Sequence, residues 1–375
     1  MKKKTKIIYI SFFIFLFLYL ISGSIIGQNS FLTLKKIFPE DLKNFIKKTI
    51  FVYHYQKILE RKLETSIKKI SKNKNNQERI EAIKEKKITD LIENYGFMNV
   101  KKNKELKDFI INERKINIEK FEIMGISVPK YLGKGTAYLE YFDNNLFVTS
   151  ANGIFSYVNI EDFVKNSFQL KIIKTNLKDK IRYDRFYIKS QYGIKDTLIS
   201  NNKIFISYLK QQDDTYSLEP RDNCYYTSIM VADLNYDYLE FKEFFTPKKC
   251  IKESEFNYLA HLSGGRIVEY KNNKLLFSIG DYQTYIVSQD QSNFYGKIIS
   301  LNFDGSNPKI ISIGHRNPQG LFYDKKNDII FNTEHGPVGG DEVNYNLDPD
   351  DQIRNYGWPT SSYGEHKPEH YDYQL

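Results

Sequence analysis

The chain has 375 residues, room for one large or two to three average domains, and carries 55 Lys and Arg against 46 Asp and Glu, a formal net charge of +9. A basic balance suits nucleic acid, but no recognisable nucleic-acid module accompanies it, so no nucleic-acid partner is expected. The two cysteines, Cys224 and Cys250, belong to no C-x-x-C unit and lie near no His in sequence, which argues against a cysteine metal site.

In chain order, Lys2-Lys3-Lys4-Thr5-Lys6 precedes an uncharged 21-residue run, residues 7–27. Such a run is long enough to cross about 30 Å of hydrocarbon as a helix, and the basic residues before it keep the N-terminus cytoplasmic. An uncleaved anchor over 1–27 is expected, with everything after it on the periplasmic or extracytoplasmic face; a cleaved signal peptide is the alternative, given Ser22-Gly23-Ser24. In that oxidising setting a Cys224–Cys250 bond would contribute roughly 3 kcal/mol, with two buried thiols as the other reading.

Residues 39–125 are rich in Lys, Glu, Ile, Leu and Asn, and apolar positions such as Ile58, Leu63, Ile67 and Ile70 fall at helical spacing. Pro39 before Glu40-Asp41 suits a helix start, and residues 72–77 read as a break between helices. The region 28–127 is therefore expected to be a helical spacer, either an arm that binds a partner or a helical pair packed on the next domain.

From about residue 128 to 375 the texture changes to β-branched and aromatic runs broken by Asn-Asn, Asn-Gly and Asp-Gly turns. Four segments share a plan of strand, polar turn and strand: 138–148, 197–206, 267–277 and 320–331. Their turn residues Asn144, Asn201, Asn272 and Asn327 recur at intervals of 57, 71 and 55 residues, which reads as a blade repeat. In the first, third and fourth repeats the second strand leads to glycine, at Asn152-Gly153, Gly280-Asp281 and His335-Gly336-Pro337, as expected where strand ends crowd a propeller axis. Four full repeats are visible, and propellers close with four to eight blades.

The densest chemistry lies in residues 314–359: Gly314-His315-Arg316-Asn317-Pro318-Gln319-Gly320, Thr333-Glu334-His335-Gly336-Pro337, Gly340-Asp341-Glu342 and Asn355-Tyr356-Gly357-Trp358-Pro359. Upstream stand His261-Leu262-Ser263-Gly264-Gly265-Arg266, Ser278-Ile279-Gly280-Asp281 and Gly296-Lys297 through Asp304-Gly305. In order and spacing these motifs resemble the soluble pyrroloquinoline-quinone (PQQ) glucose/sorbosone and aldose sugar dehydrogenases over roughly residues 186–359. The resemblance implies an all-β, six-bladed β-propeller, so that with four full repeats visible the C-terminal blades are expected to be missing, a naturally shortened protein being the alternative. It further implies oxidation of an aldose to its lactone with PQQ and Ca2+ as cofactors and leaves the sugar and the electron acceptor open.

The same resemblance implies roles. His261 is the candidate general base, and Asp281 would orient its imidazole and meet the substrate; an Asx-turn after Gly280 is the structural alternative for Asp281. Arg316 and Asn317 would contact PQQ, a flat tricarboxylate to which a guanidinium fork is suited. Gly336 and Pro337 match positions whose main-chain oxygens hold calcium, and Asp341 and Glu342 would bind a further calcium or orient the loop. Gln191, in Ser190-Gln191-Tyr192-Gly193, corresponds to a substrate-contacting glutamine, while His315 and His335 read as structural. Tyr282 departs from the family's small or polar residue after Gly-Asp, and the basic residues of later blades have no counterpart. The competing reading is a non-catalytic propeller that binds carbohydrate or protein ligands.

Overall fold

Alternation decides where this chain becomes sheet. The computed structural model describes residues 77–111, 114–124, 137–212, 223–254, 258–362 and 364; the expected anchor at 7–27 and the helical positions 58–70 lie outside them. Among the described residues no helix is long and apolar enough to cross a membrane. Helix α1 (Gln77–Tyr95) buries Ala82 and Ile92 along one face. Lys178 fixes it to the domain through Glu93 at 2.8 Å and also pairs with Asp90.

The helical expectation for the rest of the segment is corrected: residues 97–124 contain two strands, β1 (Phe97–Ile111) and β2 (Arg114–Met124), which pair antiparallel. Met98 and Val100 are buried while Lys101 is exposed, a period of two that only a strand places on one face. The Lys- and Glu-rich composition suggested helix, but burial of that alternating face against a sheet outweighs helical propensity.

The remainder is strand after strand. The first sheet continues with β3 (Ala137–Phe142), β4 (Asn145–Ser150), β5 (Phe155–Asn159) and β6 (Ser167–Thr175), in the order β2-β1-β6-β5-β4-β3. Two single helical turns, α2 (Leu177–Lys180) and α3 (Arg185–Ile188), lead to the second sheet. That sheet contains β7 (Ile194–Ser200), β8 (Lys203–Gln211), β9 (Cys224–Asp233), β11 (Lys242–Phe245) and β12 (Ile251–Lys252), while β10 (Tyr238–Leu239), between β9 and β11 in the chain, returns to the first sheet and pairs parallel with β6. The third sheet runs β13 (Gly264–Tyr270), β14 (Lys274–Ile279), β15 (Lys297–Asn302) and β16 (Lys309–Ile313). The fourth holds β17 (Pro318–Asp324), β18 (Ile329–Glu334) and β19 (Glu342–Asn346), after which β20 (Arg354–Asn355) goes back to pair parallel with β16.

Each of the four sequence repeats forms the leading hairpin of one sheet: β3-β4, β7-β8, β13-β14 and β17-β18. Two of the turns contain two residues, Asp143-Asn144 and Asn201-Asn202, all with positive φ between 48° and 59°. Asn and Asp tolerate that left-handed region, and its twist matches the flanking strands. The leading strands pack in succession, β3 on β7, β7 on β13 and β13 on β17, the arrangement of a propeller-like fold.

The main core lies among the sheets and is aromatic-rich; Phe205, fully buried, meets Phe244 and Phe303 edge-on with ring centroids 5.1 and 5.2 Å away. Each such side chain contributes about 1.5–3 kcal/mol by leaving water. A second core, including Ile92, Met98, Val100, Phe168 and Leu170, fastens α1 and the extra hairpin to the first sheet. Cys224 and Cys250 are joined as a disulfide at the edge of the second sheet, next to the Cys224–Lys252 strand pairing.

Candidate active site

The leading strands β7, β13 and β17 each begin with an irregularity in pairing. The register shifts between Ile194 and Asp196, between Gly264 and Ile267, and between Pro318 and Gly320. A bulge leaves one residue out of the ladder and re-aims its side chain. Lys195, Arg266 and Gln319 sit at these three shifts, and all three line one cavity of about 670 Å³.

Its other walls are Tyr138, Ser190, Gln191, His261, Leu262, Gly264, Arg316, Asn317 and His335. Four sequence-predicted residues, His261, Arg316, Asn317 and Gln191, are thus brought together from three sheets. No Asp or Glu is part of the lining among the described residues. Asp196, the nearest acid in sequence, is buried and turned away, accepting from Arg266 Nη1 and from the Ile267 backbone N–H, each at 2.8 Å. Burial pushes its carboxyl up to about 6 despite Arg266.

His261 lies in the segment before β13, whose backbone is tied to Tyr282: Leu259 N–H donates to Tyr282 O and Tyr282 N–H to Leu262 O. Tyr282, the departure from the family pattern, turns into the core, where it stacks on Tyr258 at 5.6 Å and leaves the cavity unobstructed. The imidazole makes no hydrogen bond to a described side chain. Burial first, then the positive charges of Lys195, Arg316 and His335, hold it below the ordinary histidine value, so the neutral, proton-accepting form prevails at neutral pH.

Asp281 does not orient that imidazole. It is fully buried, its Oδ1 accepts the Gln283 backbone N–H and its Oδ2 accepts Trp358 Nε1, both at 2.7 Å. The first contact is the Asx-turn held open in the sequence reading. Burial pushes the carboxyl up to about 7 against these donors and Arg316.

Arg316 is locked at its backbone, where its N–H donates to Glu334 Oε2 at 2.7 Å. Its Nη1 donates to the carbonyls of His335 at 3.0 Å and Gly336 at 2.8 Å, its guanidinium lies 5.5 Å from the Trp358 ring, and its buried Nε has no partner. Glu334 Oε1 meets His315 Nδ1 at 2.9 Å and His315 Nε2 meets Ser312 Oγ at 2.8 Å. This Ser-His-Glu chain is wholly buried and does not line the cavity; it buttresses Arg316. Asn317 Oδ1 accepts from Gly264 N at 3.1 Å, so Asn317 ties β17 to β13.

The loop at Gly336-Pro337 is organised by protein donors. Gly336 O receives Arg316, Pro337 O receives Gly340 N at 2.7 Å, and Asp341 Oδ1 accepts Gly336 N at 3.2 Å. Asp341 therefore orients the loop, while Glu342 accepts from Asn344 at 3.2 Å. Neither lines the cavity, and no cluster of three or more His, Cys, Asp or Glu suited to a metal occurs among the described residues.

Sequence reasoning missed Lys195, Arg266, Gln319 and Glu334. The first three owe their direction to bulges, which leave no mark in a strand pattern. Glu334 was quoted within its motif, but its role depends on a contact across the sheet.

A propeller-like array with a cationic cavity at the entries of its leading strands defines the class. This chain belongs to the glucose/sorbosone dehydrogenase family, whose model matches residues 139–372. It is similar to the aldose sugar dehydrogenase YliI of Escherichia coli, 32% identical over 114 residues, which are 27% of this chain and 30% of that protein. It is also similar to the quinoprotein glucose dehydrogenase B of Acinetobacter calcoaceticus, 31% identical over 126 residues, 26% of this chain and 25% of that protein. The matched stretch therefore spans less than a third of either relative. Among solved structures, the PQQ-bound aldose sugar dehydrogenase of Streptomyces coelicolor is similar at a TM-score of 0.41 and 20% identity, over 63% of this chain and 65% of that one.

Proposed function

We propose that this cavity is the active site of a PQQ-dependent sugar dehydrogenase that oxidises an aldose to its lactone. One observation carries the reading: His261, Arg316, Asn317 and Gln191 converge on a cavity with no lining carboxylate among the described residues, where Arg316 Nε and Gln191 Oε1 are buried without partners among those residues. An orphan donor and an orphan acceptor are costly unless a ligand meets them.

PQQ, when bound, supplies the two-electron acceptor that no side chain provides. Arg316 offers its Nε–H to an anionic or carbonyl oxygen, beside Asn317. Gln191 Oε1 accepts from a sugar hydroxyl. His261, kept neutral, takes the proton of the hydroxyl undergoing oxidation at a ring nitrogen and afterwards passes it to solvent.

Calcium does not fit the Gly336-Pro337 loop as it stands: the Gly336 carbonyl is engaged by a guanidinium, a like charge, and Asp341 is committed to the loop backbone. No part of the proposed chemistry is assigned to it.

The six-bladed ring is likewise proposed, supported by apolar side chains left exposed on the first and fourth sheets, Leu139 and Tyr141 on one and Phe322, Val343 and Tyr345 on the other. Export with an anchor at residues 7–27 is supported by the Cys224–Cys250 disulfide, a bond that persists in oxidising compartments.

The binding-module reading is favoured by one observation, that no described side chain orients the His261 imidazole. Dye reduction with PQQ and a panel of aldoses decides. His261→Ala should lose about 10²–10⁴-fold in rate while keeping its circular dichroism spectrum. Equal rates in the two proteins would leave a binding module.

A further inference from the structure

We infer that Lys195 is a ligand-binding residue of this cavity, its ammonium serving as the counter-ion for a carboxylate of the bound organic molecule. The inference rests on the reading of the cavity as a site for a carboxylated ligand and names a residue that the family resemblance did not supply.

Three observations place it. The bulge at the start of β7 takes Lys195 out of the strand ladder and into the cavity lining. The facing strand is shaped to admit it: Gly265 has φ +116°, and a Cβ built there would stand 2.4 Å from Lys195 Cβ and 3.0 Å from its Cγ. The stem of the lysine thus occupies space that any other residue at position 265 would fill. At its end, Nζ donates to a single acceptor among the described residues, the Gln191 main-chain carbonyl at 2.5 Å.

Among the described residues no carboxylate faces it: Asp196 is spent on Arg266 and the Ile267 N–H, and none of the described lining residues is an acid. The other charges around the cavity, Arg266, Arg316, His261 and His335, are all basic. Burial lowers the Lys195 amine to about 7, the signature of an ammonium without a counter-charge. A ligand carboxylate would restore the charged form, and a charge-assisted bond in such surroundings is stronger than any a sugar hydroxyl offers.

The carboxylate could belong to a flat aromatic cofactor or to a sugar acid, and two probes without redox chemistry separate these: benzene-1,3,5-tricarboxylate and glucuronate, titrated calorimetrically into the 375-residue chain near pH 6.5. Wild type should bind at least one, and Lys195→Met and Lys195→Gln should weaken that binding by about tenfold or more, with Lys195→Arg restoring most of it. The probe affected identifies the source of the carboxylate. In wild-type protein labelled with 15N-lysine, the Lys195 Nζ resonance should shift on addition of the same probe, a readout independent of how the variants fold. If neither probe binds wild type, or if both bind the neutral variants as well as wild type, the inference is overturned. Loss of PQQ-dependent dye reduction with probe binding intact would instead overturn the proposed reaction and leave Lys195 in place.

Discussion

The backbone N–H of Arg316 donates to the side-chain Oε2 of Glu334 at 2.7 Å, so the residue that presents a guanidinium to the cavity is held by a buried acid on the next strand. The other Glu334 oxygen holds His315, and Asn344 donates to the same atom at 2.9 Å. Arg316 is therefore positioned from behind, by a buried network outside the cavity lining.

Removing that acid should be costly. Glu334→Ala leaves His315 Nδ1 and the Arg316 N–H without their acceptor, and a loss of about 3–5 kcal/mol in urea unfolding is expected, with Glu334→Gln intermediate. Burial raises the Glu334 carboxyl, but His315 and the hydrogen bonds outweigh it and hold it below its ordinary 4.5. A depressed carboxyl stabilises the fold above its unfolded pKa, and that contribution disappears as pH falls through the folded value. The gap between wild type and Glu334→Gln should therefore shrink on going from pH 6 to pH 3; a constant gap would contradict the pairing.

Asp281 has the opposite sign. Its carboxyl is raised from 3.8 to about 7 by burial, so the folded state holds the proton more tightly than the unfolded chain and loses stability as pH climbs across that interval. Asp281→Asn abolishes this slope while still presenting one acceptor to Trp358 or Gln283. Unfolding measured from pH 4 to 7 should decline less steeply in the variant. The His261 imidazole, followed by NMR, should titrate as in wild type; a fall in its pKa on replacing Asp281 would reinstate the orienting role.

The hairpin β1-β2 belongs to the folded domain. Met98 and Val100 lie in the second core with Phe168 and Leu170, across the β1-β6 pairing. Met98→Ala should cost about 2–5 kcal/mol, and Val100→Asp more, since an unpaired carboxylate would enter that core. If residues 97–124 were a detached helical spacer, both changes would leave the melting temperature unaltered.

The fourth sheet presents Phe322, Phe331 and Tyr345 in register across three strands, with Phe322 61% and Tyr345 59% exposed. Exposed apolar rows of this kind drive association. Sedimentation of the 375-residue chain should show concentration-dependent self-association, and Phe322→Lys with Tyr345→Lys should reduce it without lowering unfolding stability.

Much of the fold was legible because the repeat is written locally. Asn144, Asn201 and Asn272 mark turns that need positive φ, and together with Asn327 their spacing delivered the four leading hairpins. His261, Arg316, Asn317 and Gln191 were singled out by the resemblance of their motifs to a family, and the structure brings the four to one cavity. Residues 97–124 were misread because charged alternating strands and solvated helices share a composition. Asp281 was misplaced because its partner, Trp358, is distant in sequence, and a Gly-Asp motif does not say which way a buried carboxylate faces.

β20 pairs in parallel with β16 although the whole fourth sheet lies between them in the chain, and Trp358 just beyond it reaches Asp281. During synthesis the third sheet therefore keeps an open edge while β17, β18 and β19 are being made. Asn355 must arrive before Gln289 finds its amide partner, and Trp358 before the Asp281 carboxylate acquires its indole donor. The order of emergence from the ribosome thus makes the third and fourth sheets, and the strand entries that carry His261 and Arg316, mature together rather than one blade at a time.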